Sequence, residues 1–383
     1  MALDAAGTLT TSTGHRLNRL TPASDLFLNR STVLYGPSGS GKTVIVKNIM
    51  RLLAPHIDMG IFVSPSELSN RSYSDCVPRP LLHYQLYLPD ASGGRAKNDE
   101  RKGAIRFLEA IWARAEMMAA VHARASDAKV LCSLYGRLPA AARAAVDRRI
   151  AAMNAQRARL IARLEAKYRA DPGRAAEKVR EASDLFRAWL VRVYKASIAP
   201  HAALLARQEL SADESFSLTN IRFNPRQLLV FDDCADQLKG LFKHEIFRKF
   251  FYRGRHNHVT IIICCQDDTD LDTNLRKNAF VTIFTEAQVA LSNFTRASNK
   301  FSKPTQAMVG EIIGDVFAKE HRYRKLVYIR EDPRRVNFYH VTFDCPPPFV
   351  FGSAAVQDLC REVEARDTPI DQNNIFYSAF HPA

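Results

Sequence analysis

Residues 31–43 read STVLYGPSGSGKT, an apolar segment that runs into a glycine-rich loop. The last eight match the pattern GxxxxGK[ST], and they are Gly36, Pro37, Ser38, Gly39, Ser40, Gly41, Lys42 and Thr43. The segment before the loop predicts a buried strand, and apolar residues at helical spacing after it predict a helix that ends near Pro55. The alternative is a Gly/Ser loop that precedes a lysine by chance, and the flanking strand and helix weigh against it.

A glycine turn between a strand and a helix is suited to binding phosphate. Glycines let the backbone turn tightly, so successive N–H groups point at phosphate oxygens. The N-terminus of the following helix adds a partial positive charge. We expect Lys42 to reach the β- and γ-phosphates of ATP, and the Thr43 hydroxyl to bind Mg²⁺. The loop therefore predicts a site for ATP and Mg²⁺.

Two adjacent acids follow a second apolar run, at residues 227–231. Asp232 is placed to hold Mg²⁺ at the end of a strand. A second acid at the position of Asp233 is typical of P-loop ATPases that polarise a water for hydrolysis, whereas a kinase does not need it. The usual residue there is Glu, so Asp233 is one methylene shorter. A strand that ends in an Asp-Asp turn is the alternative.

A third apolar run, at residues 259–265, ends in Gln266. In doubly wound sheets the carboxyl ends of the strands point at the ligand crevice. A glutamine amide there can hydrogen-bond both the attacking water and the γ-phosphate, and so sense whether the phosphate is present. The alternative is an ordinary polar residue at a strand end.

An amphipathic stretch between these two strands ends in a basic cluster. Residues 239–252 have apolar side chains at helical spacing, which predicts core packing. Arg253 and Arg255 follow, and a guanidinium here would reach a neighbour's γ-phosphate if subunits form a ring. Contact with DNA phosphates and a plain capped helix end are equal alternatives, because sequence alone does not aim a side chain.

Length and composition define the general class of protein. The chain has 383 residues, with 54 Lys+Arg against 40 Asp+Glu, so its net charge of +14 favours a polyanionic partner. No apolar run approaches the about 20 residues of a membrane span. The N-terminus lacks the apolar region of a secretory signal. Seven scattered cysteines without metal-ligand spacing argue against a zinc site or a disulfide framework, and predict an intracellular setting.

Short apolar runs with helical patterns between them predict an α/β fold. The runs are Thr32–Tyr35, Gly60–Val63, Gln227–Phe231, Thr260–Cys264 and Phe280–Phe284. Such continuous runs suit a parallel sheet that is covered by helices on both faces. A later pair, at 325–330 and 335–343, alternates around Asp332 and Pro333 and predicts an antiparallel hairpin at the sheet edge.

The middle of the chain has a different composition. Residues 92–215 are rich in Ala and hold 24 Lys+Arg against 14 Asp+Glu, which predicts a helical hairpin or small bundle with a basic outer face. The predicted organisation is an N-terminal extension over 1–30, an ATPase core over 31–91 and 216–345, the helical insertion, and an irregular C-terminal extension over 346–383.

Taken together, these motifs resemble the genome-packaging ATPases of nucleo-cytoplasmic large DNA viruses, in the FtsK–HerA superfamily. The resemblance rests on the glycine loop, the run ending in Asp232 and Asp233, the Gly254-Arg255-His256 triplet and the run ending in Gln266. It extends to Phe284–Ser302 with Asn293, Phe294, Arg296 and Asn299, and to the late hairpin, which makes about half of the chain. The insertion at 92–215 departs from compact viral members, so no role is carried over to it.

The resemblance implies a fold, an activity and partners. The fold would be a P-loop NTPase of the ASCE, RecA-like kind, with a mostly parallel sheet flanked by helices and the helical subdomain inserted. The activity would be hydrolysis of ATP with Mg²⁺ by a homo-oligomeric ring, hexamer or pentamer, that drives double-stranded DNA into a capsid. Lys42 and Thr43 would bind nucleotide, Asp232 Mg²⁺ and Asp233 the water, with Gln266 as sensor. A capsid vertex or other packaging proteins are further implied partners, and the virion or the viral factory in the host cytoplasm the location.

Other functions remain open from the sequence. A nucleotide or small-molecule kinase would share the glycine loop and would phosphorylate an acceptor. A binding module would hold nucleotide as a switch with negligible turnover. A DNA-pumping ATPase of conjugation or plasmid segregation belongs to the same class as the packaging motor. The insertion would contact DNA, dock a capsid vertex or nuclease, or form a solvated decoration.

Overall fold

The computed structural model describes residues 8–12, 14–86, 97–299, 301–318, 323–330 and 337–365. The chain divides into two compact units. The first comprises Met1–Glu116 and Arg226–Ala383, and the second comprises Met117–Pro225. The sequence placed these boundaries at 91/92 and 215/216, so the second unit begins and ends later than that division.

Ten strands of the described residues form one sheet. They are β1 (Leu9–Thr10), β2 (Arg16–Arg19), β3 (Ser31–Tyr35), β4 (Met59–Val63), β5 (Leu82–His83), β6 (Gln227–Phe231), β7 (Val259–Cys265), β8 (Val281–Phe284), β9 (Arg324–Ile329) and β10 (Asn337–Thr342). Their order across the sheet is β1-β2-β10-β9-β8-β3-β7-β6-β4-β5. The five apolar runs of the sequence are β3, β4, β6, β7 and β8, so those strand predictions are confirmed.

The six strands from β8 to β5 are parallel and form the centre of the sheet. β7 lies between β3, which leads into the glycine loop, and β6, which leads into the two acids. Every residue of β3, β4, β6, β7 and β8 is buried, as a sheet covered on both faces requires. The predicted α/β fold of a P-loop NTPase, with a mostly parallel sheet flanked by helices, is confirmed.

Helices account for most of the remaining described residues. The α-helices in chain order are α1 (Ser24–Phe27), α2 (Lys42–Leu53), α3 (Glu67–Asn70), α4 (Lys97–Ala125), α5 (Ala128–Gly136), α6 (Ala140–Lys167), α7 (Pro172–Ile198), α8 (Ala202–Leu205), α9 (Ala212–Thr219), α10 (Ala235–Lys239), α11 (Glu245–Arg253), α12 (Thr273–Asn278), α13 (Ala287–Thr295), α14 (Lys303–Val316) and α15 (Ala354–Glu364). Short 3₁₀ helices lie at Arg79–Leu81, Ala199–His201, Gly254–Asn257, Asp268–Asp270 and Ala297–Asn299.

The core of the first unit includes residues that the sequence assigned to the insertion. Phe107, Leu108 and Ile111 of α4 are fully buried in the same apolar cluster as the central strands. Trp112 meets Phe250 of α11 edge to face, with ring centroids 5.2 Å apart. The first part of α4 therefore belongs to the ATPase core, because its apolar face is packed there.

The late hairpin forms, but the prediction that it lies at the sheet edge was wrong. β9 and β10 pair antiparallel, and β9 also pairs antiparallel with β8. β10 pairs in parallel with β2, so strands of the N-terminal extension continue the sheet beyond the hairpin. Additional pairing of this kind protects backbone groups that an edge strand would expose. The turn around Asp332 and Pro333 lies outside the described residues.

The C-terminal extension is more ordered than the sequence indicated. An irregular segment was expected after Pro346, whereas α15 forms and its N-cap Ser353 accepts a hydrogen bond from the Val356 N–H. Phe351 is fully buried and meets Phe62 of β4 edge to face at 5.5 Å. Prolines exclude a helix only near their own positions, so a capped amphipathic helix begins a few residues later.

The second unit is helical, as predicted for the middle of the chain. Its core joins Leu131, Leu134 and Tyr135 of α5 to Tyr194 and Ile198 of α7. Helices α6 and α7 pack against each other as a long hairpin. No helix among the described residues is both long and apolar enough to cross a membrane.

Candidate nucleotide-binding site

The glycine loop lies between β3 and α2 and is shaped by close contacts. A Cβ atom on Gly36 would lie 1.7 Å from Thr285 Oγ1, so only glycine fits there. Gly41 is the N-cap of α2 and has a φ of +91°, which glycine adopts without steric cost. The loop therefore reaches the N-terminus of α2 as a tight turn, with the geometry that suits a phosphate.

Lys42 is buried, and its ammonium group contacts the loop itself. Its Nζ donates to the carbonyl oxygens of Gly36 at 2.6 Å and Pro37 at 2.9 Å. These bonds hold the charge inside the turn, where phosphate oxygens would be its natural partners. Lys42 therefore lies within the loop, and its contact with the β- and γ-phosphates stays a prediction.

Residues at the ends of β8 and β9 support the loop from one side. Thr285 Oγ1 lies 3.0 Å from the Tyr35 carbonyl oxygen and 2.7 Å from Ser40 Oγ. Lys325 Nζ donates to the Ser40 carbonyl oxygen at 3.0 Å, and burial lowers the pKa of Lys325. β8 is the parallel neighbour of β3, so the residue that follows it meets the loop. Sequence analysis did not identify Thr285 or Lys325.

The structure brings Thr43 and Asp232 to the same tyrosine hydroxyl. Asp232 is buried at the end of β6, and Tyr73 Oη donates to its Oδ2 at 2.6 Å. Burial, together with the charge of Asp232, raises the pKa of Tyr73 well above its usual value, while the nearby Thr43 side chain opposes this. Thr43 and Asp232, far apart in sequence, are therefore neighbours.

The electrostatics of Asp232 follow from its burial. Desolvation raises the pKa of its carboxyl group, and the charge of Asp233 acts in the same direction. Hydrogen bonds from Tyr73 and Cys264, and the charge of Lys42, partly offset this effect. A cation near this buried carboxylate would favour its charged form.

Glu67 fixes the position of Tyr73. Its buried carboxylate accepts hydrogen bonds from the Tyr73 N–H at 2.9 and 3.0 Å and from the Ser74 N–H at 2.9 Å. The Tyr73 ring lies 6.3 Å from that of Phe62. Neither Glu67 nor Tyr73 was predicted from the sequence. Glu67 follows the carboxyl end of β4, which was an available signal, whereas nothing in the local sequence marks Tyr73.

Asp233 has a strained backbone and an exposed side chain. Its φ of +54° is in the left-handed region, which costs less for Asp than for most residues. Its Oδ2 accepts a hydrogen bond from Ser66 Oγ at 2.8 Å. Because Ser66 follows β4, the neighbour of β6, this contact places Asp233 at the carboxyl edge of the sheet, as predicted.

Gln266 follows β7 directly beside the glycine loop. The Gly36 N–H donates to the carbonyl oxygen of Cys265, the preceding residue, at 3.2 Å. Gln266 is exposed, and its backbone N–H donates to Asp270 Oδ2 at 2.9 Å. The backbone that carries Gln266 is therefore tied both to the loop and to the next turn.

The turn after Gln266 is organised around a buried carboxylate. Asp268 is fully buried, and Arg296 binds it with two hydrogen bonds, Nε to Oδ2 at 2.7 Å and Nη2 to Oδ1 at 2.8 Å. Arg276 Nη1 is 3.1 Å from Oδ2 and also bonds the Asp268 carbonyl oxygen. The hydrogen bond to Asp268 raises the pKa of Arg296. Two guanidinium groups thus balance one buried charge.

Arg253 and Arg255 lie at the other end of the strands. α11 ends at Arg253, and the 3₁₀ turn at Gly254–Asn257 leads into the amino end of β7. β7 is seven residues long, or about 23 Å at the usual rise. Both side chains are exposed, and Arg255 Nε lies 3.3 Å from His256 Nε2. The structure does not bring them to the glycine loop of the same chain.

The oxygen donors beside the loop match the preferences of Mg²⁺. Among the described residues no group of three or more His, Cys, Asp and Glu side chains could hold a metal. The Thr43 hydroxyl and the Asp232 carboxylate are oxygen donors that meet near Tyr73. Mg²⁺ binds through one or two such groups together with substrate phosphates, so these residues fit it.

The chain has the fold of a P-loop NTPase. A glycine loop joins β3 to α2, two acids follow β6, and β7 lies between β3 and β6. The chain is 43% identical over 372 residues to the uncharacterized protein B354L of African swine fever virus, a match that covers 97% of this chain and 98% of the relative. Relatives from several isolates of the virus match equally well. The chain belongs to the family of these viral proteins. No protein-family model matches it.

Two solved structures match this chain at low identity and low TM-score. The genome packaging NTPase B204 from Sulfolobus turreted icosahedral virus 2, in complex with ATP-gammaS, is 14% identical, with 84% of this chain and 98% of that chain covered and a TM-score of 0.32. The plasmid coupling protein TrwB, in complex with the GTP analogue GDPNP, is 13% identical, with 87% and 92% covered and a TM-score of 0.32.

Proposed function

We propose that this chain is an ATP-hydrolysing double-stranded DNA translocase that packages a viral genome into a capsid. The observation that carries the ATPase part is the meeting of Thr43 and Asp232 at the Tyr73 hydroxyl, beside the glycine loop. The family of African swine fever virus proteins supports a viral setting. The DNA part rests on the resemblance of the motifs to packaging ATPases.

The residues at the carboxyl edge would share the work of hydrolysis. Backbone N–H groups of the loop and the Lys42 ammonium would bind the phosphates, while Thr43 and Asp232 would hold Mg²⁺, which screens the charge of the phosphate oxygens. Asp233, oriented by Ser66, would align a water with the γ-phosphate. Catalysis of this kind depends on positioning and electrostatics, and it forms no covalent intermediate with the protein.

Gln266 would couple the state of the nucleotide to the rest of the chain. It follows Cys265, whose carbonyl oxygen contacts the first glycine of the loop. Loss of the γ-phosphate would release the glutamine amide and shift the subunit interface that grips DNA. An arginine from a neighbouring subunit, Arg253 or Arg255, would neutralise charge as the bond breaks. The translocase would therefore act as a homo-oligomeric ring.

Substitution of Lys42 or Asp233 tests the ATPase part. Lys42→Ala and Asp233→Ala should each fold normally and lose about 100-fold or more in turnover, measured as free phosphate released from ATP. Asp236→Ala, which removes another exposed acid just after β6, is the matched control and should retain activity. Full hydrolysis by the Asp233 variant would refute the assignment.

Addition of linear duplex DNA tests the translocase part. The ATPase rate should rise with duplex DNA, and binding of DNA should weaken steeply as the salt concentration increases, because a motor that must not stall on sequence contacts backbone phosphates.

A phosphorylated acceptor in place of free phosphate would indicate a kinase. Tight nucleotide binding with negligible turnover would indicate a switch. Electron microscopy with duplex and a non-hydrolysable analogue should show closed rings around DNA.

A further inference from the structure

Helix α6 carries a row of exposed arginines along one face. At 100° per residue, Arg148, Arg159 and Arg163 lie within about 60° of one another around the helix, and all three are exposed. The row is about 22 Å long at the usual helical rise. Residues on the same face between and beyond them are small, and include Ala152, Ala155 and Ala166. We call Arg148, Arg159 and Arg163 the arginine row.

The arginine row points away from α7. Arg157, on the other side of α6, lies over the Phe186 ring at 5.1 Å, and its Nη2 donates to Ser183 Oγ of α7 at 3.1 Å. Arg149 lies over the Trp189 ring of α7 at 5.6 Å. These contacts define the inner face of α6. The three arginines of the row lie about 120–180° around the helix from Arg157, and no residue of α6 is buried within the described range 97–299.

The arginine row has no acidic partner among the residues that the structure describes. None of its three guanidinium groups takes part in the ion pairs that form in this part of the chain. No Asp or Glu stands three or four positions away from Arg148, Arg159 or Arg163. Arg159 and Arg163, four positions apart, repel each other, which disfavours the helix by a small amount.

The cations of α7 provide an internal comparison, because they are compensated. Lys178 Nζ lies 2.8 Å from Glu181 Oε2, and Arg187 Nη1 lies 3.4 Å from Asp184 Oδ1. Arg180 has an acid three positions before it and another four positions after it. An exposed face that is merely solvated is expected to resemble α7, with charges of both signs mixed. The arginine row does not.

We infer that the arginine row is a contact surface for the phosphate backbone of duplex DNA. This inference rests on the proposed function. Guanidinium groups bind phosphates with paired hydrogen bonds, and the small alanines between them let a backbone approach closely. A helix of about 10–12 Å diameter also fits the major groove. The row would span about six base pairs at the rise of B-DNA, and it contacts DNA independently of base sequence.

Substitution of the row, matched by substitution of α7, tests this inference. The row variant carries Arg148→Gln, Arg159→Gln and Arg163→Gln, and the control carries Lys178→Gln, Arg180→Gln and Arg187→Gln, so both lose three positive charges. Fluorescence anisotropy with a labelled linear duplex at several salt concentrations measures affinity. We expect the row variant to bind about tenfold more weakly or worse, with a salt slope reduced by about 2–3, and the control to change by less than about twofold. Circular dichroism checks that both remain helical.

The outcomes separate this inference from the proposed function. Wild-type chain that fails to bind duplex DNA would overturn the proposed function, and the inference with it. Wild-type binding with an unchanged row variant would overturn the inference alone and would leave the row to a partner such as an acidic protein. Equal losses in the row variant and the control would also overturn it, because net charge alone would then explain binding. ATP turnover without DNA should be unchanged in both variants.

Discussion

The hydroxyl of Tyr73 joins the two halves of the nucleotide site at the scale of single residues. It donates to Asp232 at 2.6 Å and lies close enough to the Thr43 side chain for that group to lower its pKa, while Glu67 holds the Tyr73 backbone. Tyr73 donates to Oδ2, one of the two oxygens of the Asp232 carboxylate. Tyr73 therefore acts as a positioning residue that orients the carboxylate expected to hold Mg²⁺.

Removal of the Tyr73 hydroxyl tests this role. Tyr73→Phe keeps the ring beside Phe62 and loses the hydrogen bond to Asp232, so the Mg²⁺ concentration that half-saturates nucleotide binding should rise about tenfold. Fluorescent-nucleotide binding in a magnesium titration measures it. Affinity for nucleotide in EDTA should stay the same, since the phosphate contacts are untouched. Tyr84→Phe removes a hydroxyl elsewhere in the first unit and serves as the control. An unchanged magnesium titration would contradict the role.

At the scale of elements, the turn that carries Gln266 is joined to two helices through one carboxylate. Asp268 forms ion pairs with Arg276 of α12 and with Arg296, the residue after α13. The three elements are therefore held together by one buried ion cluster, in which every charge has a partner. A rigid turn is what a residue that senses phosphate requires, because its amide must stay within hydrogen-bond reach of the ligand.

Arg276→Ala should weaken this cluster strongly. Arg276 is nearly buried and Asp268 is fully buried. Loss of the Arg276 guanidinium leaves Arg296 as the ion-pair partner of the Asp268 carboxylate, and should lower the free energy of unfolding by about 3 kcal/mol. Denaturant titration followed by circular dichroism measures the change. Lys277→Ala, on the same helix and without an ion pair among the described residues, should change stability by less than about 0.5 kcal/mol. Similar losses in the two variants would show that the cluster is not the cause.

At the scale of the whole molecule, Arg253 and Arg255 are separated from the glycine loop by the length of β7. The two arginines precede β7, and the loop meets the residue at its far end. A single chain therefore cannot bring either guanidinium to its own γ-phosphate. In a ring with head-to-tail interfaces, however, this edge of one subunit can face the nucleotide of the next.

Mixing of two inactive variants tests that arrangement. Lys42→Ala removes the expected contact with the phosphates. The double variant Arg253→Ala, Arg255→Ala removes the arginines that are expected to reach the γ-phosphate bound by the neighbouring subunit. Each variant alone should therefore lack DNA-stimulated turnover. A mixture assembled together should recover activity at up to about a quarter of the interfaces, where an intact loop faces an intact arginine. Phosphate release measures the recovery. Activity of the double variant alone, or no recovery in the mixture, would contradict an arginine supplied by the neighbour.

Local sequence was sufficient to predict five strands of the central sheet, the late hairpin and the loop. The strands β3, β4, β6, β7 and β8 are continuous, mostly apolar runs of four to seven residues, and the loop is a contiguous motif, so the information lies within a few positions. The expected α/β fold of a P-loop NTPase was confirmed on that basis. The helical middle of the chain followed from its Ala-rich composition in the same way.

Tertiary structure alone decided which of these pieces meet. The position of β7 between β3 and β6, the pairing of β10 with β2 and the packing of Phe351 on Phe62 depend on burial between distant segments, which no local pattern encodes. The same holds for Tyr73, which lies in a loop without periodicity and reaches Asp232 only because β4 and β6 are neighbours. Strand identity is a short-range property of propensity and pattern. Strand order, and with it the assembly of the site, is set by long-range burial.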